Sequence, residues 1–396
     1  MFSLLTGAKS FKSNRWVGSQ RLNRLGLHVA RKRVADALAR VRRAWLGTYV
    51  PEADRRAMDS EGMLVKPAFL PPGELAAVRE EILSALWPTI EMAQPPAFTR
   101  RVNLDAQLCE ARFPALARLI QHPALLRALR YAAGCPGTPI VSLQIIRSSG
   151  MAAGHDPQTD WHRDTFHSAG KAWLFLHDVP ADQGPFAFVP GSHRPTPAHW
   201  VWERDQSVQA RVELNTMHAN GSFRIDEATL QQLGYTQTYT AEVPGNTLVV
   251  ADMSGFHRRT PSAQPTVRVE VYFSLRRNPF FAGLLPSLLG LPFLRRNWGG
   301  WVYGVYSWLL ARGTHSWIPL GLRPLEWDEQ MLLRTADPAP LPLAPVPALE
   351  VTEGTEIVEV QALAPVEPTQ AAATAVAADV AEVTQAPPAA HAPEPT

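Results

Sequence analysis

The chain has 396 residues, of which 46% are hydrophobic and 19% charged, enough for one large globular domain with appendages and too apolar for a wholly disordered chain. Its net charge of +2 hides an asymmetry: residues 1–50 carry eleven Lys/Arg and the single acid Asp36, whereas from Asp337 onward there are nine acids and no Lys or Arg. The two cysteines, Cys109 and Cys135, lie in no CxxC or Cys/His cluster, which argues against a disulfide framework or a cysteine zinc site and predicts a reducing, cytoplasmic setting.

In chain order, the start MFSLLTGAKSFKS has no apolar run of secretory length. Residues 1–56 read as a basic amphipathic region. Leu22, Leu25, Val29, Leu38, Val41 and Trp45 recur at roughly helical spacing among Arg24, Arg31, Arg40 and Arg42. Two readings fit: a helix packed on the domain with solvated charges, or a helix lying on an anionic membrane surface. Residues 57–279 read as the main domain. Pro71-Pro72-Gly73-Glu74 opens a helix with Leu75, Val78, Ile82 and Leu86 on its apolar face, a second runs from Pro114 to Ile120, and Pro123 starts a third. After Gly134 the pattern turns to short strands at 140–147, 172–177, 185–189, 246–251 and 266–275. Helices followed by many short strands predict an α+β domain on a β-sandwich or barrel.

Residues 280–335 form an aromatic-rich segment. FFAGLLPSLLGLPFL and WGGWVYGVYSWLLA are each too short to cross a bilayer, and Pro and Gly interrupt them. Trp298, Trp301, Tyr303, Tyr306 and Trp308 suit a membrane–water boundary. Together with the basic head they predict peripheral contact with an anionic membrane; burial against the barrel or in a dimer is the rival reading. Residues 336–396, rich in Ala, Pro, Val and Glu without aromatics, predict a disordered acidic tail.

The chemistry concentrates at Trp161-His162-Arg163-Asp164. On an extended strand, residues two apart share a face, so His162 and Asp164 present an imidazole beside a carboxylate while Arg163 points away. One neutral nitrogen and one anionic oxygen suit a borderline metal such as Fe(II), and a second histidine would complete a facial triad with open positions. His257 lies in Ser254-Gly255-Phe256-His257, just after an apolar strand. From Arg268 onward the chain alternates: Arg268, Glu270, Tyr272 and Ser274 on one face, Val267, Val269, Val271 and Phe273 on the other. Arg268 is then either a bidentate carboxylate clamp lining a pocket or a strand residue paired with Glu270.

These residues, with Val189-Pro190-Gly191-Ser192-His193-Arg194 between the two histidine motifs and Gly62-Met63-Leu64-Val65 before the helix from Pro72, resemble the phytanoyl-CoA dioxygenase family of Fe(II)/2-oxoglutarate oxygenases over roughly residues 60–278. The resemblance implies a double-stranded β-helix, a jelly-roll or cupin-like barrel buttressed by helices. It implies His162, Asp164 and His257 as iron ligands and Arg268 as partner of the distal carboxylate of 2-oxoglutarate. It also implies Fe(II), 2-oxoglutarate and O2 as requirements, with ascorbate as an accessory reductant. Arg163 stands where the family often has Gln, and residues 198–244 match poorly, which is where substrate-specific insertions would sit. Family members that halogenate replace the metal-binding carboxylate; the retained Asp164 points to hydroxylation of an aliphatic C–H bond.

Gln144 and Trp173 fall on barrel strands and could touch the cosubstrate; Trp173 equally fits core packing. His193 reads as structural, within a Pro-Gly turn. His167 reads as a surface residue or as a donor to a ligand, with surface the stronger reading. The substrate class expected is a small molecule, a lipid or a lipid-linked compound. Nucleic acid is not expected, because the basic residues lie on a leucine-bearing helix with no recognised module. No obligate protein partner is indicated. The rival to an enzyme is a catalytically inactive jelly-roll adaptor at a membrane surface, against which Arg268 argues.

Overall fold

The computed structural model describes residues 2–283, 305 and 317–335. The runs 284–304 and 306–316, which hold most of the aromatic segment, and the tail 336–396 lie outside the described residues.

In chain order the described helices are α1 (Gln20–Arg24), α2 (Leu27–Leu46), α3 (Glu52–Ser60), α4 (Pro72–Leu83), α5 (Ala106–Arg112), α6 (Pro114–Ile120), α7 (Pro123–Ala133), α8 (Pro197–Gln209), α9 (Thr216–Ala219), α10 (Glu227–Gln232) and α11 (Trp327–Thr335). The strands are β1 (Met63–Lys66), β2 (Trp87–Gln94), β3 (Ala97–Asn103), β4 (Ile140–Ser148), β5 (Gly170–Phe175), β6 (Phe186–Phe188), β7 (Tyr239–Thr240), β8 (Thr247–Asp252), β9 (His257–Arg259), β10 (Thr266–Leu275) and β11 (Trp317–Arg323).

Proline at the first turn of α4, α6 and α7 sets the helical φ where a backbone donor would be orphaned anyway. The apolar residues of these helices close on one face of an eight-stranded antiparallel sheet, ordered β1-β8-β5-β10-β4-β3-β2-β11. Val269, Val271 and Phe273 of β10 are buried among Leu116, Leu125 and Leu129. The other face turns toward a three-stranded sheet ordered β7-β6-β9. Between the sheets Trp173, Phe175, Val249 and Tyr272 pack with Phe186 and Phe188. A large antiparallel sheet thus faces a small one, with helices on the outside, in keeping with the expected helix-buttressed jelly roll.

Besides β1, β2 and β3, which precede Gly134 where the sequence reading placed no strands, two regions depart from the simplest sequence reading. Residues 317–323 of the aromatic-rich segment form β11, the edge strand on β2. The following α11 is tied down by acids: Arg147 meets Asp328 at 2.5 Å and Glu329 at 2.8 Å, and Arg100 meets Glu329 at 3.2 Å. The basic head also packs, but with its polar face inward. Arg31 donates to the carbonyls of Leu4, Thr6 and Ala8, and Lys32 to that of Phe166. Arg42 donates to Gly134, and Arg43 to Tyr131 and Ala132, at the C-terminal end of α7, where orphaned carbonyls and the helix dipole favour cations. The outward stripe of α2 is consequently apolar: Val34, Val41 and Trp45 are exposed, with exposed Arg33 and Arg40 along one border.

Candidate metal centre and active site

His162 and His257 form a reciprocal backbone pair. The His162 N–H donates to the His257 carbonyl (3.0 Å), and the His257 N–H to the His162 carbonyl (2.8 Å). Their rings lie 4.5 Å apart. His162 sits in an extended, singly bridged segment rather than a regular strand, pairing on its other side with Arg224. Asp164 is held by its own N–H to the Met253 carbonyl at 3.1 Å. Ligand atoms of His162, Asp164 and His257 all fall within 4.8 Å of one another. His257 Nε2 is 3.7 Å and His162 Nε2 4.0 Å from Asp164 Oδ1.

The proton inventory suits a cation at this point. His162 Nδ1 donates to the Asp160 carbonyl at 2.7 Å and His257 Nδ1 to the Gly255 carbonyl at 3.0 Å. With Nδ1 as the donor, both Nε2 lone pairs are left free to face Asp164. The His257 Nε2 is buried with no hydrogen-bond partner among the described residues, an orphan that a metal would satisfy. Burial, the other histidine and Arg224 keep His162 neutral well below the usual imidazole range. Burial would raise Asp164, but Lys171 and the two histidines outweigh it and hold the carboxylate well below its ordinary value.

The Pro-Gly-Ser-His element places His257. Ser192 N–H donates to Val189 O at 3.1 Å, closing a turn in which Gly191 has φ +77°, a position only glycine takes without strain. That turn aims Ser192 Oγ at the Phe256 N–H (2.8 Å), while the Val189 N–H donates to Phe256 O (2.9 Å). Gly255 admits the close approach, since a Cβ there would lie 2.5 Å from the Phe188 ring. His193 is buried beside Gly62 and has no ring hydrogen bond among the described residues, so its place is structural. His167, expected more readily at the surface, is buried against Phe166 with Nδ1 on the Ser168 carbonyl. The expectation failed because Lys32 and Arg31 bring α2 over this loop.

The triad opens into a cavity of about 270 Å³ between the sheets, lined in part by Gln144, Trp173, Phe186, Arg268 and Tyr272. Arg268 lines it and also stands 2.9 Å from Glu270. Gln144 bridges two charges: its Oε1 accepts from Arg101 (2.9 Å) and its Nε2 donates to Glu270 (2.6 Å). Trp173 packs on Phe186 at 4.6 Å while edging the cavity.

Sequence reasoning missed Lys171, whose Nζ is 2.5 Å from Asp164 Oδ2. The alternation Lys171, Trp173, Phe175 on one face of β5 is the signal that could have found it. It also missed Lys9, whose Nζ donates to the Asp164 carbonyl at 2.6 Å from a position 155 residues away, and Glu203, which meets Arg163, His28 and His199 in full burial. No local pattern marks contacts of that range. A second carboxylate cluster, Glu326, Asp328 and Glu329, is already occupied by Arg100 and Arg147.

The phytanoyl-CoA dioxygenase family model matches residues 58–244. These residues are a phytanoyl-CoA dioxygenase domain. The match ends before His257 and Arg268, and the fold returns both to the residues it covers. No curated protein matches the chain in a sequence comparison. Among solved structures, HygX from Streptomyces hygroscopicus with nickel and 2-oxoglutarate bound is 19% identical, over 57% of this chain and 86% of that one, with a TM-score of 0.35. The epimerase SnoN in complex with Fe3+, α-ketoglutarate and nogalamycin RO is 19% identical over 62% and 91%, TM-score 0.36. EctD from S. alaskensis with bound Fe is 15% identical over 57% and 76%, TM-score 0.34. The match is to a family of Fe(II)/2-oxoglutarate-dependent oxygenases, and the donor set of His162, Asp164 and His257 fits the iron such an enzyme requires.

Proposed function

We propose that this oxygenase hydroxylates an aliphatic C–H bond, with Fe(II) held by His162, Asp164 and His257 and 2-oxoglutarate held through Arg268. The observation that carries the reading is the orphaned Nε2 of His257 facing the Asp164 carboxylate. Two imidazoles and one carboxylate on one face leave coordination positions for cosubstrate and oxygen. Bound there, iron would let O2 act as the oxidant, one of its oxygen atoms going to 2-oxoglutarate as it becomes succinate and CO2 and the other to the substrate's new hydroxyl. The chain's own part is positional. The carbonyls of Asp160 and Gly255 fix both imidazole tautomers. Lys171 keeps Asp164 ionised. Trp173, Phe175 and Phe186 give the cavity an aromatic wall. Arg268, with Glu270 beside it, offers guanidinium edge to a carboxylate. The retained Asp164 supports hydroxylation over halogenation. The test is a screen of metabolite and lipid extracts for a product heavier by one oxygen. It should appear only with 2-oxoglutarate, together with matching succinate; a product formed equally without 2-oxoglutarate overturns the reading.

A lipid or lipid-linked substrate, reached from an anionic membrane surface, is the finer reading. It is supported by the outward stripe of α2, where Val41 is 70% and Trp45 57% exposed beside Arg33 and Arg40. Apolar insertion combined with cationic attraction is what peripheral binding requires. No helix among the described residues is long and apolar enough to cross a membrane.

A further inference from the structure

We propose that the substrate carries an anionic group, a carboxylate, sulfate or phosphate, and that Arg101 binds it. The proposal rests on the oxygenase reading above and deepens it to a substrate class.

The first observation is the charge lining the cavity. Arg101, Lys171, Arg224, Arg258, Arg259 and Arg268 all face it, as does Lys9, whereas Asp164 is the acid that lines it among the described residues. Some of these cations are spoken for. Lys171 pairs with Asp164, Arg259 with Asp156, and Arg268 with Glu270. Arg101, Arg224 and Arg258 have no carboxylate partner within ion-pair distance among the described residues. Arg224 donates to Ser222, and Arg258 lies over the Trp161 ring at 4.2 Å. Iron and 2-oxoglutarate do not remove this surplus, because the two charges of the cation cancel the two carboxylates of the cosubstrate. Cations grouped in a pocket with low-dielectric walls repel one another, and a bound anion relieves that cost.

The second observation is how Arg101 is held. Its guanidinium lies 4.7 Å from the Tyr272 ring and 5.1 Å from the Trp317 ring. Its Nε donates to Gln144 Oε1 at 2.9 Å. Stacking and the Nε bond fix the plane, and both terminal nitrogens remain for a ligand in the cavity. A planar fork immobilised in this way has already lost its rotamer entropy, which favours bidentate binding of an oxyanion.

The third observation separates this point from the cosubstrate clamp. Arg101 pairs in register with Gln144, Gln144 with Glu270, and Arg268 lies two residues along β10 from Glu270. The two arginines therefore sit on different strands of one sheet, two strands apart and in different cross-strand rows. A continuous link, Arg101 to Gln144 to Glu270 to Arg268, joins them. Trp317 comes from β11, outside the residues that the family model matches, so this clamp is built partly by the chain's own addition to the domain.

The test is anaerobic calorimetry on the full chain loaded with Fe(II) and excess 2-oxoglutarate, which occupies Arg268. The probes are hexyl phosphate, hexanoate, hexanol, hexylammonium and inorganic phosphate. The proposal expects hexyl phosphate and hexanoate to bind at least tenfold more tightly than hexanol, and hexylammonium not to bind. Arg101→Gln should weaken the anionic probes tenfold or more, and Arg101→Lys, which keeps the charge but loses the fork, should fall between. Affinity for hexyl phosphate above that for inorganic phosphate points to an anionic headgroup on an apolar chain; equal affinity points to a small free anion. Equal binding of hexanol and hexyl phosphate, or unchanged binding in both Arg101 variants, overturns the proposal. The same samples report the visible absorption of the iron–2-oxoglutarate complex. Its absence with Arg101-dependent anion binding intact would count against the oxygenase reading alone.

Discussion

His162 and His257 exchange both of their backbone hydrogen bonds, so two histidines far apart in sequence are directly opposed neighbours whose rings stand 4.5 Å apart. In an antiparallel pair this arrangement fixes both side-chain directions at once. The metal centre is therefore as rigid as the strand contact beneath it, and weakening that contact should be visible in both stability and iron affinity.

Ser192→Ala tests this coupling. The Phe256 N–H would lose its acceptor in a fully buried position, at a cost of about 1–3 kcal/mol. The expected result is a lower thermal midpoint together with weaker Fe(II) binding, read by denaturation and metal titration of the same sample.

Glu203→Gln should cost more. Arg163 and Glu203 are both fully buried and paired, and His28 and His199 lean on the same carboxylate. Removing the charge strands the Arg163 guanidinium, and breaking one partner of a buried pair costs about 3–5 kcal/mol. Because His28 belongs to α2, urea denaturation should show the loss, and protease cleavage within residues 1–50 should accelerate.

Acid should destabilise the fold in a window set by histidines. Burial pushes His177, His193 and His218 down to about 4, against about 6.5 in an unfolded chain. Between those values the unfolded state binds more protons, so stability is full above about pH 6.5 and falls as pH drops toward 4. The expected loss by pH 5 is about 1–2 kcal/mol per histidine. Thermal midpoints at pH 7 and pH 5 should show it, and His193→Gln should flatten the fall by its share.

Much of this was legible in the sequence. Pro at the start of α4, α6 and α7 and alternation along β10 are local signals, and they located those elements closely. Helical periodicity located α2 as well but did not orient it. Val34, Val41 and Trp45 face outward and Arg31, Lys32 and Arg43 inward, because carbonyls at the end of α7 and of the loop after Asp164 demand donors. Contacts such as Lys9 with Asp164 depend on where the folded chain returns, and no spacing rule carries that information.

The outward stripe of α2 gives its own test. Val41→Glu with Trp45→Glu touches an exposed surface, so the stability change should stay within about 0.5 kcal/mol. Co-sedimentation with vesicles containing phosphatidylserine should be lost in this variant and weakened by salt in the parent. Equal pelleting of both would remove α2 from any membrane contact.

The most direct test of the central claim is anaerobic titration of Fe(II) and 2-oxoglutarate into the parent chain and into His162→Ala, Asp164→Ala and His257→Ala. The account predicts one iron per chain and a visible charge-transfer absorption in the parent. It predicts loss of both in all three variants, and retained iron with weakened 2-oxoglutarate binding in Arg268→Leu. Unchanged iron content in the three ligand variants would contradict it.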